Sequence, residues 1–88
     1  MYKVEVSRTA RKDLRKIDFR YRPHIWAAMY SLQDNPFLGK KLAGKLEDHY
    51  SLRVGDYRIL YKVSNKILMI LIIRIGHRQW IYKKGLQL

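Results

Sequence analysis

The sequence contains no cysteine, only two prolines and few acidic residues, and its apolar runs are short. Without cysteine, no disulfide can support the fold, and no thiolate can bind a metal or act as a nucleophile. The longest apolar run is seven residues, Ile67 to Ile73, far below the ~20 residues that a membrane-spanning helix requires. The first residues, Met1 to Glu5, hold no apolar block of signal-peptide length. We therefore expect a soluble protein of a reducing cytoplasm.

The shortage of acids leaves a strongly basic chain. Seven Asp and Glu residues stand against nineteen Lys and Arg residues, a formal net charge of +12 in 88 residues. Charge of one sign at this density repels itself and destabilises the compact state, whereas solubility alone needs a smaller excess. A polyanionic partner therefore explains the excess better than solubility does. Nucleic acid is the first candidate and an anionic membrane the second, and an acidic protein partner is compatible with either.

The first half of the chain is predicted to form a strand and a helical hairpin. Tyr2 to Val6 alternates polar and apolar residues, which is typical of a strand. Ser7 or Thr9 is suited to cap the next helix, and Pro23 to begin a second helix, which ends at residues 35–36. The apolar faces of the two helices are Ala10, Leu14 and Ile17, and Ile25, Trp26, Met29 and Leu32.

The second half is predicted to be β-structure. Residues 50–54 and 57–63 alternate, and Gly55-Asp56 between them is a two-residue hairpin turn. Ile67 to Ile75 is apolar at nearly every position, which is typical of a central strand. With a loop over Phe37 to Asp48, we expect one α+β domain over residues 1–88: an N-terminal strand, a helical hairpin, and antiparallel strands in a twisted sheet with the helices packed on one face. Three aromatic residues, Trp26, Tyr30 and Tyr61, are expected in the core.

The hairpin turn predicts an arginine pair on the exposed face of the sheet. A two-residue loop at Gly55-Asp56 pairs Val54 with Tyr57 and places Arg53 opposite Arg58. Like charges directly opposite are unfavourable by a few tenths of a kcal/mol up to about 1 kcal/mol. An anion bound between the guanidinium groups would remove that repulsion, because arginine grips phosphate oxygens in pairs. Two solvated arginines that point apart are the alternative.

Two segments resemble the RelE branch of the RelE/ParE toxin superfamily. They are Leu52 to Tyr61, which reads LRVGDYRILY, and Arg74-Ile75-Gly76-His77-Arg78 followed by Tyr82. The helical hairpin and the chain length match too, so the resemblance covers essentially the whole chain. It implies a RelE-like, microbial-RNase-like fold and a ribosome-dependent endoribonuclease that cleaves mRNA in the A site. The attacking group is the RNA's own 2′-hydroxyl, and no metal or other cofactor is needed.

The resemblance also implies catalytic residues. Arg58 matches the arginine that stabilises the transition state, Arg78 the arginine near the leaving oxygen, and Tyr82 a tyrosine that stacks on a base or assists proton transfer. Relatives carry two lysines where this chain has His49 and Ser51, so the group that activates the 2′-hydroxyl is open. His49 and His77 are the candidates for a base, because the pKa of histidine lies near neutrality.

Further basic residues are expected to bind RNA. Arg53 and Arg74 belong to the matching segments, and three lysines of the preceding loop, Lys40, Lys41 and Lys45, add positive charge. A metal site is not expected, since the adjacent residues Glu47, Asp48 and His49 seldom converge on one ion and zinc would need more ligands.

The resemblance implies several partners. They are the ribosome, mRNA and a cognate RelB-like antitoxin, acidic where it contacts the toxin, but no membrane. The toxin–antitoxin complex is expected to be oligomeric, to bind DNA through the antitoxin and to lie in a prokaryotic cytoplasm. Two alternatives remain. One is a non-catalytic ParE-like toxin that binds gyrase, and the other is a basic RNA-binding accessory domain.

Overall fold

The computed structural model describes residues 1–42 and 48–79, which form an α+β fold. Its elements, in chain order, are β1 (Lys3–Val6), α1 (Arg8–Lys16), α2 (Arg22–Ser31), β2 (Lys40–Lys41), β3 (His49–Val54), β4 (Tyr57–Ser64) and β5 (Met69–His77). The Ser7 hydroxyl accepts a hydrogen bond from the backbone N–H of Ala10 at 3.1 Å and caps α1, as predicted.

The strands form a single mixed sheet in the order β1-β5-β4-β3-β2. The pairs β3–β4 and β4–β5 are antiparallel, as predicted. The short strand β2 is antiparallel to β3, and β1 runs parallel to β5. A parallel pair needs a crossover connection of a dozen or more residues. The helices, with the strands that follow them, supply that connection. The last strand of the described chain therefore lies inside the sheet, between β1 and β4.

Both helices pack on one face of the sheet and bury a shared apolar core. The core consists of Ala10, Leu14, Ile17, Ile25, Met29 and Leu32 from the helical half, and Ile59, Tyr61, Val63, Ile70, Ile72 and Ile75 from the strands. Tyr61 is buried as predicted, but the core prediction is wrong for Trp26 and Tyr30, which are 37% and 60% exposed. In α2, the side chains of Ile25 and Met29 fill the face toward the sheet. Trp26 and Tyr30, one position further around the helix, line a groove beside β1 and stay partly exposed.

Several boundaries differ from the sequence prediction. The second helix, expected to end at residues 35–36, ends at Ser31, and the last strand, expected to end at Ile75, continues to His77. The predicted strand from Ile67 begins at Met69, because Ile67 and Leu68 are exposed in the turn and Leu68 has a positive φ of 50°. The predicted loop before β3 contains β2, whose two residues pair with Ser51 and Tyr50 of β3. In the described ranges, no helix has the length and apolar character needed to cross a membrane.

Candidate nucleic-acid interface

The face of the sheet opposite the helices, called the outer face here, carries the predicted arginine pair. Val54 pairs with Tyr57 and Arg53 with Arg58, which confirms the register that the two-residue turn predicted. Gly55 adopts a φ of 59°, a left-handed conformation that glycine takes without strain. Tyr57 packs against the core on the helix side, so the alternation along β4 places Arg58 on the outer face.

Arg58 has a buried donor that the fold leaves unsatisfied. Its Nε atom is buried, and the described residues give it no hydrogen-bond acceptor. Arg53, its neighbour on β3, donates from Nε to the carbonyl of Gly55 at 3.3 Å, and Gly76, its neighbour on β5, has no side chain. An unsatisfied buried donor destabilises a fold by roughly 1–3 kcal/mol, and by more when it is charged. A bound anion would supply the missing acceptor.

Lys40 and Lys41 are adjacent in sequence but belong to opposite faces. Lys40 pairs with Ser51, which shares the outer face with Arg53, whereas Lys41 pairs with Tyr50, which packs against the core. Of these two predicted RNA-binding residues, the structure therefore brings only Lys40 to the arginine pair. Lys45, the third lysine of this group, and Tyr82 lie outside the described residues.

The two candidate histidines are separated by the sheet. His49 lies four residues before Arg53 on β3 and shares its outer face. His77 pairs with Tyr57 on β4, and the two rings meet edge to face with centroids 6.1 Å apart, on the side that the helices cover. Nδ1 of His77 accepts a hydrogen bond from the backbone N–H of Gln79 at 3.3 Å. Of the two, only His49 shares a face with Arg58.

The backbone of Arg78 is held against the hairpin turn. Its N–H donates to the carbonyl of Asp56 at 2.9 Å, which continues the β4–β5 pairing past His77. Asp56 precedes Arg58 by two residues, so this hydrogen bond places Arg78 at the end of the sheet where the arginine pair lies. Arg78 is exposed to solvent.

Arg74, expected to bind RNA, forms an ion pair inside the fold. Its Nε and Nη2 atoms donate to the two carboxylate oxygens of Asp13 at 2.9 and 3.2 Å. Asp13 is only 4% exposed, and it also accepts the backbone N–H of Ile75 at 2.9 Å. Sequence reasoning missed Asp13. The signal was there, because Asp13 is the one acid in α1 and stands next to the buried Leu14.

A buried tyrosine holds β2 in place. The Tyr61 hydroxyl donates to the carbonyl of Pro36 at 2.8 Å and accepts from the backbone N–H of Gly39 at 2.9 Å. Burial raises the pKa of Tyr61 above its ordinary value, so the hydroxyl keeps its proton. A Cβ at Gly39 would lie 2.8 Å from that hydroxyl oxygen and 2.9 Å from the carbonyl oxygen of Ser51. Glycine therefore permits the close approach that sets Lys40 beside Ser51.

The sequence predicted no metal site at the adjacent residues Glu47, Asp48 and His49. Of these three, Glu47 lies outside the described part of the chain. Within residues 1–42 and 48–79, no group of three or more His, Asp or Glu side chains is placed to hold a metal ion.

The fold and the outer face together define a small basic α+β protein with a pair of arginines on the outer face of its sheet. The sequence model described as the ParE toxin of type II toxin–antitoxin systems matches residues 4–82. The chain is 35% identical to toxin RelG of Mycobacterium tuberculosis, over 94% of this chain and 98% of that toxin. It is 32% identical to toxin RelE of the same organism, over 93% of this chain and 87% of that toxin. The chain belongs to the RelE/ParE superfamily of toxins, as its motifs indicated.

Solved structures show the same fold. The toxin–antitoxin complex RelBE2 of M. tuberculosis contains a chain that superimposes with a TM-score of 0.81 at 33% identity, covering 88% of this chain and 98% of that one. The isolated RelE toxin of Escherichia coli superimposes with a TM-score of 0.78 at 22% identity, covering 99% and 97%. The second likeness concerns the fold alone. Together they confirm the predicted RelE-like α+β architecture.

Proposed function

We propose that this toxin of a type II toxin–antitoxin system is an endoribonuclease that cleaves mRNA in the ribosomal A site. The observation that carries the proposal is Arg58, whose buried Nε has no acceptor among the described residues and which faces Arg53 on the outer face of the sheet. A phosphodiester supplies the acceptor oxygens that such a pair needs. The relatives named RelE and RelG support a RelE-type activity.

The reaction requires no metal. The 2′-hydroxyl oxygen attacks the adjacent phosphorus as it gives up its proton to a base, and the bond from phosphorus to the 5′ oxygen breaks. The departing 5′ oxygen takes a proton from solvent water, which leaves a 2′,3′-cyclic phosphate and a free 5′-hydroxyl. Negative charge grows on the non-bridging oxygens, and Arg58 stabilises that charge. Arg78, held at the same end of the sheet by Asp56, stabilises the departing 5′ oxygen as a fixed positive charge, since arginine is a poor acid. Tyr82 is assigned to stack on an unpaired base.

His49 is the candidate to accept the 2′ proton. His49 and Arg53 lie two residues to either side of Ser51 on one face of β3, and Arg58 stands opposite Arg53. In the proposed complex, the reacting phosphate lies above Ser51, with Arg58 on one side and His49 on the other. His77 faces the opposite side of the sheet beside Tyr57 and takes no part in the proposed reaction. Arg74 supports the site through Asp13 and does not contact RNA.

The protein is further proposed to bind a RelB-like antitoxin in a prokaryotic cytoplasm. Solved relatives are toxin–antitoxin complexes, among them the archaeal RelE–RelB complex of Pyrococcus horikoshii. A domain of charge +12 attracts an acidic chain with rapid, salt-sensitive association. The complex is proposed to be oligomeric and to bind DNA through the antitoxin. Co-purification with the product of a neighbouring reading frame, in rising salt, tests this part of the proposal.

A ParE-like toxin that inhibits gyrase is the second candidate, because the matching family model bears the ParE name. Inducing the chain alone in a bacterium and mapping new mRNA 5′ ends separates the two. Cleavage within codons, lost in Arg58→Ala, supports the endoribonuclease. Growth arrest with intact mRNA and inhibited DNA supercoiling by purified gyrase supports the ParE-like activity and overturns the proposal.

A further inference from the structure

The outer face presents its cations in regular steps along β3. Arg53 pairs with Arg58, Lys40 pairs with Ser51, and His49 pairs with Lys62. Each of these pairs is called an outer row here. Successive outer rows are two residues apart on β3, a step of about 6.8 Å. Every outer row therefore contains at least one permanently charged side chain. Of these charged side chains, only Arg53 belongs to β3 itself.

The two lysines come from the strands that flank β3. Lys40 on β2 lies in the row of Ser51, and Lys62 on β4 lies in the row of His49. Both lysines are exposed, whereas Ser51 and Leu60 are buried and form the floor between them. The position of Lys40 is fixed, because the hydrogen bonds of Tyr61 to Pro36 and Gly39 hold the start of β2.

On β5, the residues opposite Arg58, Leu60 and Lys62 are Gly76, Arg74 and Leu71. Of these three, Arg74 is charged, and its guanidinium forms an ion pair with Asp13 of α1. Beyond Leu71, the neighbouring residue on β1 is Glu5, whose carboxylate repels a phosphate. The three outer rows thus form a band of cations over β2, β3 and β4 that is long in the strand direction and narrow across it. A band of this shape fits an extended single strand and not a duplex.

We infer that single-stranded RNA lies along β3 with three consecutive phosphates on the three outer rows, and that Lys40 and Lys62 are phosphate-binding residues. The inference rests on the proposed function and adds these two roles to it. A two-residue step along a strand is close to the separation of successive phosphates in an extended RNA chain. Lys40 contacts the reacting phosphate above Ser51. Arg53 contacts the phosphate on one side of it, and Lys62 contacts the phosphate on the other side.

The test measures how salt weakens binding of a 2′-O-methyl oligonucleotide, which cannot be cleaved because it lacks the attacking hydroxyl. The logarithm of the association constant falls with the logarithm of the salt concentration, by roughly 0.7 for each phosphate contact in a single strand. We expect Lys40→Ala and Lys62→Ala each to reduce that slope by about 0.7, and the double variant by about 1.4. Lys40→Arg and Lys62→Arg keep the charge and should preserve the slope.

Lys12→Ala is the matched control. Lys12 is an exposed lysine of α1, in the layer on the other side of the sheet. Its removal lowers the net charge as much as the other lysine variants do, and the slope is expected to stay at the wild-type value. An equal reduction in all three variants, or a reduction in Lys12→Ala alone, would overturn the inference. A wild-type slope clearly below about 2.1 would overturn it as well, because three phosphate contacts at roughly 0.7 each require that value.

Failure of this inference is distinguishable from failure of the proposed function. If the lysine variants keep the wild-type slope while the toxin cuts mRNA on ribosomes, the phosphate track is wrong and the endoribonuclease proposal stands. If the slopes change as expected but no mRNA is cut, the track stands and the catalytic proposal is wrong. Far-ultraviolet circular dichroism of each variant verifies that the fold is retained.

Discussion

Asp13 of α1 binds Arg74 of β5 through both carboxylate oxygens, and one of these oxygens also accepts the backbone N–H of Ile75. This contact lies where β5 continues past the end of β1, so the backbone groups on that side of β5 have no strand partner within residues 1–42 and 48–79. The Ser7 hydroxyl donates to the carbonyl of Ile73 at 3.0 Å in the same stretch. Side chains of the first helix thus cover the edge of β5 just before Gly76 and Arg78.

Asp13→Asn is expected to destabilise the fold. The substitution keeps the shape of the side chain but leaves the Arg74 guanidinium, largely buried, without its anion. We expect a loss of about 3 kcal/mol, the lower end for a broken buried pair, because Arg74 keeps some exposure. Urea unfolding measures the loss. Asp34→Asn is the control at an exposed acid, with an expected change within about 0.5 kcal/mol. Equal effects at both positions would show that the ion pair contributes nothing specific.

Tyr61→Phe is expected to loosen β2. The variant removes the hydroxyl that joins Pro36 and Gly39, and we expect roughly 1–3 kcal/mol of lost stability, because buried groups lose their partner. It should also weaken oligonucleotide binding without changing the net charge, since Lys40 is no longer held beside Ser51. Tyr50→Phe keeps the stacked rings, whose centroids are 5.5 Å apart, and serves as the control. Equal binding by both variants would contradict the positioning role of Tyr61.

Arg58→Ala and Arg78→Ala are each expected to abolish toxicity while the domain stays folded. Both side chains lie outside the helix-covered core, so their removal leaves no cavity in it. Arg58→Lys is expected to be nearly as inactive, because an ammonium lacks the planar fork that binds two phosphate oxygens. Growth after induction measures toxicity, and near-ultraviolet circular dichroism measures tertiary packing. Toxicity that survives Arg58→Ala would remove this residue from the proposed site.

The turn between the helices contains a carboxylate with a shifted pKa. Hydrogen bonds from the side chain and the backbone N–H of Arg20 lower the pKa of Asp18 from 3.8 to about 2. A carboxylate whose pKa is lower in the folded state than in the unfolded state stabilises the fold at pH values above its unfolded-state pKa. Its contribution is therefore lost as the pH falls from about 4 to about 2.

Nuclear magnetic resonance titration of the Asp18 carboxyl carbon should show a midpoint well below 3.8. Arg20→Ala should raise the midpoint only part of the way toward 3.8, because the backbone N–H of residue 20 still donates to the carboxylate. A return to the full ordinary value in Arg20→Ala would mean that the backbone bond does not persist in solution.

The sequence alone was enough to predict structural features that depend on residues close together in the chain, such as hairpin register and the alternation of a strand. A two-residue turn with glycine first sets the register of its own hairpin, so the pairing of Arg53 with Arg58 followed directly. The alternation of β4 likewise placed Ile59 and Tyr61 in the core. Both inferences use residues that are close in the chain, where geometry leaves few alternatives.

Features that depend on distant residues escaped prediction. Nothing near β1 specifies that its partner is β5, or that the pair is parallel. The ion pair of Arg74 joins residues from opposite ends of the chain, so the motif around Arg74 looked like a free cation. Lys62 was not predicted as a phosphate-binding residue, because that proposed role depends on its position opposite His49 on the neighbouring strand. Trp26 was wrongly assigned to the core, because a short helix buries a narrower face than its apolar residues suggest.

The parallel pairing of β1 with β5 also governs when the protein can become active during its own synthesis. Lys3 is synthesised well before its partner Met69, which follows the hairpin of β3 and β4 in the chain. A nascent chain therefore cannot close its sheet until β5 has left the exit tunnel, and contacts between such distant residues form late in folding. Gly76 therefore reaches its place beside Arg58 only after β5 has been synthesised. The pair of Arg53 and Arg58 can form as a local hairpin before that, but the outer face is complete only once β5 has joined the sheet.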